Sequence, residues 1–472
     1  MAIPIEPSRV RLDVLTTAAG RVLLRSAWFP VALQALALLG MIIFVAAGIG
    51  VGRDVAAPDL MTLRKTNLAT LAVWGLWWPG LVVLTIAFGR LWCTVCPLEL
   101  VHRIADAVAR TAGWPRAKLG TSLRAGWLVL ITYLVLQLCV AGFAIHRVPH
   151  FTAITLLSLT GAAVLTGFAF QGHRAFCRSF CPAAALLSVY GRFTPFQLDT
   201  RAPSVCSQCS TRDCVRAPNR QRFDKRSCPS LIRPFARRPS DGCVLCLQCA
   251  KVCPHDNVGL GLVALSAPVR TARELPAHEA AFVMLALGFV AHEVIGEVRW
   301  LDAIFHAVPS FLHAHATSIP FGWIEALWFL VLFPAAVWTL VVSAGYLAGQ
   351  RAGLRESLLA AATGAAPIVA IAHLAKATAK ILSWAGFLPL ALGDPQGIDT
   401  LQRLAADPSQ APGTLPGVSI LGWTMLLLVP LVAWKTWHRA QRDPTHPSPA
   451  ARAGVVGTAL LFVAVFTAWG CS

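Results

Sequence analysis

The chain has 472 residues, 56 % of them hydrophobic and 13 % charged, where soluble domains average about 25 % charged. With a mean hydropathy of +0.63, this excludes a single globular domain, a disordered chain and a secreted disulfide scaffold. The net charge of +18 reads as basic loops beside a membrane, and no nucleic-acid partner is expected.

Arg9, Arg11, Arg21 and Arg25 precede a full-length apolar run, which reads as a retained first helix and not a cleaved signal. Nine apolar runs predict membrane helices near 28–51, 67–89, 125–145, 151–170, 278–298, 321–347, 357–375, 418–434 and 453–470. With the amino terminus inside, 32 of the 40 Lys and Arg residues fall on inside segments and 8 on outside ones. That asymmetry sets the orientation and puts the carboxyl terminus outside. The expected location is a bacterial inner membrane. The densest basic cluster, from Arg201 to Arg238, lies in the long interruption between the fourth and fifth helices, which is therefore read as cytoplasmic. Residues 393–417, rich in Pro and Gly, read as an external loop.

The second helix ends in Gly89-Arg90-Leu91-Trp92-Cys93-Thr94-Val95-Cys96-Pro97. The fourth ends in Gly172-His173-Arg174-Ala175-Phe176-Cys177-Arg178-Ser179-Phe180-Cys181-Pro182. Each motif closes a helical hairpin at the cytoplasmic side, which suggests a duplicated unit. Spacings of three and four put Cys93 with Cys96, and Cys177 with Cys181, on one helical face. Each pair suits a soft metal such as Cu(I), or a reversible disulfide. His102 and His173 stand close enough in sequence to add ligands. Cys139 and Cys471 have no such pattern and read as structural.

The interruption holds eight more cysteines. Cys243-x2-Cys246-x2-Cys249-x3-Cys253-Pro254 is the bacterial ferredoxin run, in which three thiolates hold one cubane and the fourth serves a second. Cys206-x2-Cys209-x4-Cys214, followed by Cys228-Pro229, is a looser version. The crossed rule assigns Cys206, Cys209, Cys214 and Cys253 to one [4Fe–4S] cluster, and Cys243, Cys246, Cys249 and Cys228 to another. Zinc also takes C-x2-C pairs, but two Cys-Pro ends in one eight-cysteine segment favour iron–sulfur. The expected fold is an α-helical polytopic membrane protein of nine helices with an inserted, small α+β ferredoxin-like domain. The expected domains are a membrane domain, 1–198, the two-cluster domain, 199–270, and a second membrane domain, 271–472.

Beyond residue 278 the unusual side chains are His292 and Glu293 in the fifth helix, His306, His313 and His315 in a short amphipathic stretch, and His373, Lys376 and Lys380 in or after the seventh. The topology places most of them, with His146 and His150, in the outer half of the membrane. Ionisable groups at membrane depth are costly and point to function. We read His292, Glu293 and His373 as a quinone or haem site, ranked above copper, with a histidine beside a carboxylate able to take the proton that quinol oxidation releases.

Two Cys-Pro hairpin ends followed by a two-cluster ferredoxin segment resemble the NosR/NapH-type membrane ferredoxins, a group that includes the CcoG-like copper-handling proteins. Cys177–Pro182 matches the family's C-x3-C-P motif, whereas Cys93–Pro97 departs from it as C-x2-C-P. The resemblance spans roughly residues 60–262. It implies membrane electron transfer between cytoplasmic clusters and a quinol or an external redox enzyme, in support of a respiratory metalloenzyme. The alternative it carries is a copper reductase or assembly factor for an oxidase or reductase.

Overall fold

The computed structural model describes residues 10–124, 126–172, 174–222, 225–230, 232–234, 242–263, 275–415, 417–442 and 448–471. His173 lies outside the described residues. The apolar runs form helices because only structures that satisfy their own backbone polar groups are stable in hydrocarbon. Among the described residues, eight helical stretches are long and apolar enough to cross a membrane. They are Val31–Gly48, Leu68–Thr111, Pro149–Ala169, Ala277–Ile295, Phe321–Leu347, Leu354–Gly393, Ile420–His438 and Pro449–Gly470. The third expected span is a shorter apolar helix, Trp127–Gly142. Its 16 residues reach about 24 Å at ~1.5 Å per residue, short of a bilayer core of ~30 Å. The expected seventh span extends to a continuous helix, Leu354–Trp384, that includes Lys376 and Lys380.

The chain packs as two compact units, neither continuous in sequence. The first comprises residues 1–41, 84–124 and 159–273; the second comprises 42–83, 125–158 and 274–472. Both Cys-Pro hairpin ends therefore share a unit with the cysteine-rich segment.

In the first unit a three-stranded antiparallel sheet forms the base of that segment. It consists of β1 (Val10–Asp13), β2 (Phe196–Thr200) and β3 (Val258–Val263), with β3 in the centre. Leu198 pairs with Leu260, and Leu12 with Leu262. Alternate residues of a strand share a face. Leu198, Val258 and Leu260 thus bury together with Leu15, Leu245, Leu247, Cys249 and Ala250. β1 comes from the amino terminus, ahead of the first membrane helix. The Asp13 carboxylate fastens it, accepting hydrogen bonds from the N–H groups of Leu15 (2.9 Å) and Leu260 (3.0 Å) and from Arg201 Nε (2.9 Å). Lys251 Nζ adds a second fastening, donating to the carbonyls of Ser26 (2.7 Å) and Phe29.

In the second unit the helix Leu354–Trp384 is central. Its row of small residues, including Ala361, Ala362, Ala365, Ala366 and Ala372, is buried. Small side chains let helix backbones approach closely, the usual basis of packing in membranes. The helices Pro449–Gly470, Val418–Arg442 and Ala277–Ile295 pack against it.

Leu260 is 4 % exposed and lies in the same core as Cys249. Leu260→Ala should destabilise the sheet by about 2–5 kcal/mol. The expected readout is faster proteolysis between residues 199 and 263 and earlier thermal bleaching of the visible chromophore, with the membrane helices retained.

Candidate metal centres

The eight cysteines from Cys206 to Cys253 stand in two groups. The thiols neighbouring Cys214 are those of Cys253, Cys206 and Cys209. Those neighbouring Cys249 are first Cys243, Cys246 and Cys228, and then Cys214. The last cysteine of each run thus lies with the first three of the other. The two groups adjoin, since the Cys228 N–H donates to the Cys214 carbonyl (2.8 Å).

Backbone conformation prepares both loops. Leu245 and Leu247, between the cysteines of the second run, are left-handed (φ 57° and 58°), as is Arg212 (φ 46°) in the first. A left-handed non-glycine residue costs about 1–2 kcal/mol. Interspersed left-handed residues turn successive N–H groups inward, a concavity that suits anionic iron–sulfur centres. Asn257 supports the first group, its N–H donating to Cys253 Sγ (3.5 Å) and its Nδ2 to Cys206 Sγ (3.2 Å). Hydrogen bonds from Thr211 Oγ1 (3.6 Å) and the Arg212 N–H (3.4 Å) pull the Cys209 thiol down to about 7. Burial, and then the neighbouring Cys253, pushes Cys214 up to about 11.

The two hairpin ends converge. Cys96 has Cys177, Cys181 and Cys93 as electrostatic neighbours. In the first repeat Gly89 (φ +63°) ends the helix Trp78–Phe88, and a short helix Trp92–Val95 carries Cys93. Cys96 is extended, the conformation favoured before proline, and Pro97 opens the helix Pro97–Thr111. In the second repeat Ala175–Ser179 carries Cys177, and Ala183–Tyr190 follows Pro182. Burial pushes Cys177 up to about 11 and Cys181 to about 12.

Arginines make this thiol group an electrostatic site. Arg174 is 5 % exposed. Its neighbours are Cys177, Cys93, Glu99 and Cys246, so it stands between the hairpin group and the second soluble group. Arg90 occupies the equivalent position, three residues before the first cysteine of its repeat, and acts on Cys181. Arg226 pairs with the buried Glu99 carboxylate (3.4 Å), which also accepts from Gln34 Nε2 (2.7 Å). Nε of Arg90, Arg174 and Arg226, and Nη2 of Arg174, are buried without hydrogen-bond partners. Unpartnered buried N–H groups among thiols fit centres of net negative charge, such as thiolate-ligated iron–sulfur clusters. These arginines escaped the sequence reading. Their signal was the shared position of Arg90 and Arg174 in the two repeats. Thr94 Oγ1 further donates to the Val244 carbonyl, joining the first Cys-Pro turn to the ferredoxin loop.

His102 is no ligand here. Its Nε2 accepts from the Ala175 N–H (3.2 Å), so Nδ1 carries the proton and donates to the Ala163 carbonyl (3.2 Å). The ring pins one hairpin end to the other. In the second unit, His146 bonds the Val140 carbonyl (3.0 Å) and Arg147 (3.1 Å), and His150 bonds the Gly50 N–H (2.9 Å) and Arg53 (2.6 Å). Both act as loop fasteners. Cys139 packs with Trp74 and Ile145, and Cys471 is exposed.

Of the residues grouped as His292, Glu293 and His373, Glu293 is an electrostatic neighbour of both histidines, while their direct contacts differ. Neighbours in a helix diverge by ~100°. Glu293 turns to Lys376 (3.6 Å), which also pairs with Glu297, and has Lys380, Lys376, His292 and His146 as electrostatic neighbours. His373 is buried and meets Phe289 edge-on at 5.5 Å. His292 turns to a different carboxylate, Glu325 (3.9 Å).

Residues 70–122 and 152–199 match a family described as a 4Fe-4S binding domain. The matched segments contain Cys93, Cys96, Cys177 and Cys181 and end before Cys206. Two uncharacterized proteins of Methanocaldococcus jannaschii are similar. MJ0750 is 28 % identical over 195 residues, which is 37 % of this chain and 74 % of the relative. MJ0749 is 27 % identical over 181 residues, 36 % of this chain and 64 % of the relative. No solved structure matches. The family match and the apolar helices together describe a membrane protein with a 4Fe-4S binding domain.

The thiolate is the form that reacts with alkylating agents. In iron-stripped protein at pH 7.5, iodoacetamide should therefore label Cys209 faster than Cys214. Below pH 6.5 the Cys209 rate should fall about tenfold per pH unit, as protonation removes the thiolate. Equal rates at Cys209 and Cys214, read by peptide mass spectrometry, would refute this ordering.

Proposed function

We propose that the chain is a membrane electron-transfer protein of the NosR/NapH type, in which three cysteine groups lie in series. Cys206, Cys209, Cys214 and Cys253 hold one [4Fe–4S] cluster, and Cys228, Cys243, Cys246 and Cys249 hold a second. Cys93, Cys96, Cys177 and Cys181 form a third thiolate site. Such clusters supply one-electron transfer at potentials set by net charge and hydrogen bonds to sulfur. Arg90, Arg174 and Arg226 supply the balancing positive charge, and Asn257, Thr211 and Arg212 supply N–H and O–H groups to sulfur. The observation that carries the reading is the position of Arg174, whose neighbours belong to both the hairpin group and the second soluble group. The family description supports iron–sulfur at the hairpin thiols, since the matched residues contain those four cysteines. The excess of basic residues supports a cytoplasmic ferredoxin segment, with a quinol or an external redox enzyme as partner.

A second reading, copper handling, is favoured by the buried hairpin thiols, because soft thiolates select Cu(I). Metal analysis separates the two. Three clusters give about twelve iron and twelve acid-labile sulfide per chain, falling to about eight in a Cys177→Ser, Cys181→Ser double variant. About eight iron with one copper, lost in that variant, would transfer the hairpin group to the copper reading. Zinc without iron would overturn both. Cys253→Ser should damage the cluster shared with Cys206, although Cys253 lies in the other run.

Topology is tested separately. A reporter active only outside the membrane should be silent when fused at Ser240 and active at Ser409. Activity at Ser240 would reverse the proposed orientation.

A further inference from the structure

The second unit contains a ligand set that involves no cysteine. His292 stands near the end of the helix Ala277–Ile295, His306 between the helices Arg299–Phe305 and Ala307–His315, and Glu325 in the helix Phe321–Leu327. His306 Nε2 lies 3.0 Å and His292 Nε2 3.9 Å from Glu325 Oε1. Among the described residues, these three are the one set of His, Cys, Asp or Glu whose ligand atoms all lie within 4.8 Å of one another. Bonds of about 2.0–2.2 Å to a tetrahedral or octahedral ion place neighbouring ligand atoms about 3.0–3.5 Å apart, so small rotations close the site.

Both rings are held from behind. His306 Nδ1 is 3.0 Å from the Asp302 carbonyl and 3.0 Å from its carboxylate. Asp302 thus offers acceptors to an Nδ1 proton, so that a metal ion displacing the Nε2–Glu325 hydrogen bond would find the Nε2 lone pair available, the usual support of a metal-ligating histidine. His292 stacks on Phe329 at 4.6 Å and 8° between ring planes. Gly288, one turn earlier, permits this stacking, because a Cβ there would lie 2.0 Å from the Phe329 carbonyl oxygen. Phe329 belongs to a π-helical segment, Trp328–Leu332, a distortion often found at functional sites. His292 Nδ1 is buried without a hydrogen-bond partner.

We propose that His292, His306 and Glu325 bind one divalent first-row transition ion of the Zn²⁺ or Fe²⁺ class, leaving at least one coordination position open. Two histidines and a carboxylate with open positions form the donor set of hydrolytic zinc and non-haem iron centres. The open position would take water or a small oxygen-donor ligand. The proposal is independent of the iron–sulfur reading.

Co²⁺ is a suitable probe. Untagged full-length protein in detergent, with its iron and sulfide intact, is stripped of loosely bound metal and titrated anaerobically. Wild type should bind one Co²⁺ with visible d–d bands. His306→Ala and Glu325→Gln should abolish those bands, Asp302→Asn should weaken binding about 10–100-fold, and His315→Ala should leave it unchanged. Iron and sulfide content reports folding of each variant. If an alanine variant aggregates, Asp302→Asn, which keeps side-chain volume, is the deciding variant. No d–d band in wild type, or equal binding in wild type, Glu325→Gln and Asp302→Asn, would reduce the three side chains to a hydrogen-bonded cluster.

Discussion

The Arg174 guanidinium lies out of water among the thiols of Cys177, Cys93 and Cys246 and the Glu99 carboxylate. An isolated buried cation would be strongly destabilising, and so would the thiolates that these cysteines would become on ligating a metal. Each makes the other tolerable. Much of the first unit serves that pairing. The two Cys-Pro hairpin ends deliver Arg90 and Arg174, the helix Pro97–Thr111 delivers Glu99, and the cysteine-rich segment delivers Arg226. Gln34, from the first membrane helix, bridges Glu99 and the Thr94 carbonyl (2.9 Å). Arg103 donates to Gln34 Oε1 (3.1 Å). Removing any one of these charges would leave an uncompensated partner, which costs more than the pair itself is worth.

The membrane spans and the cysteine spacing were legible in the sequence because each obeys a short-range rule. Apolar runs of about twenty residues are membrane helices, and a C-x2-C-x2-C-x3-C-P run encodes three ligands within one tight loop. The third expected span is shorter than that rule asks, since its helix stops at Gly142, yet a crossing there is what lets both Cys-Pro turns meet. β1 was not legible. Four residues, Val10–Asp13, carry little pattern, and their strand state depends on a partner nearly 250 positions away. The ionisable groups of the carboxyl-terminal half were legible as unusual but not in their pairing. Which way His292 and Glu293 point depends on helix rotation, and that is fixed by Gly288 and Phe329, not by anything local to the pair.

The charges of the second unit follow a similar logic with different groups. Lys376 lies between Glu293 and Glu297, and Lys380 and Arg64 also carry charge near Glu293. A charge at membrane depth costs about 2.5–3.5 kcal/mol on insertion scales, and pairing is its usual relief. This explains why Leu354–Trp384 continues as helix past its apolar stretch. One more turn brings Lys376, and a second brings Lys380, to the carboxylates on Ala277–Ile295 and its carboxyl-terminal end. With Glu293 so occupied, it has a sufficient structural reason to be there, whereas Glu325 faces two histidines and no Lys or Arg pairs with it among the described salt bridges.

Duplication explains the hairpin site further. One hairpin end contributes two cysteines and one arginine, too few for a closed thiolate centre and too few to balance its charge. Two copies facing each other contribute four and two. His102 fixes their relation, since it stands after the first Cys-Pro turn and bonds Ala163 and Ala175 on either side of the second hairpin's end. Its two bonds use both ring nitrogens, so protonating the ring would cost the Ala175 contact. The shorter C-x2-C spacing of the first repeat against C-x3-C in the second is then tolerable. Each pair need only present its sulfurs to a shared centre, and Pro97 and Pro182 restart the helix after either turn length. The departure from a strict repeat therefore weakens the case for two separate two-cysteine sites. It leaves intact the case for one site built from both halves.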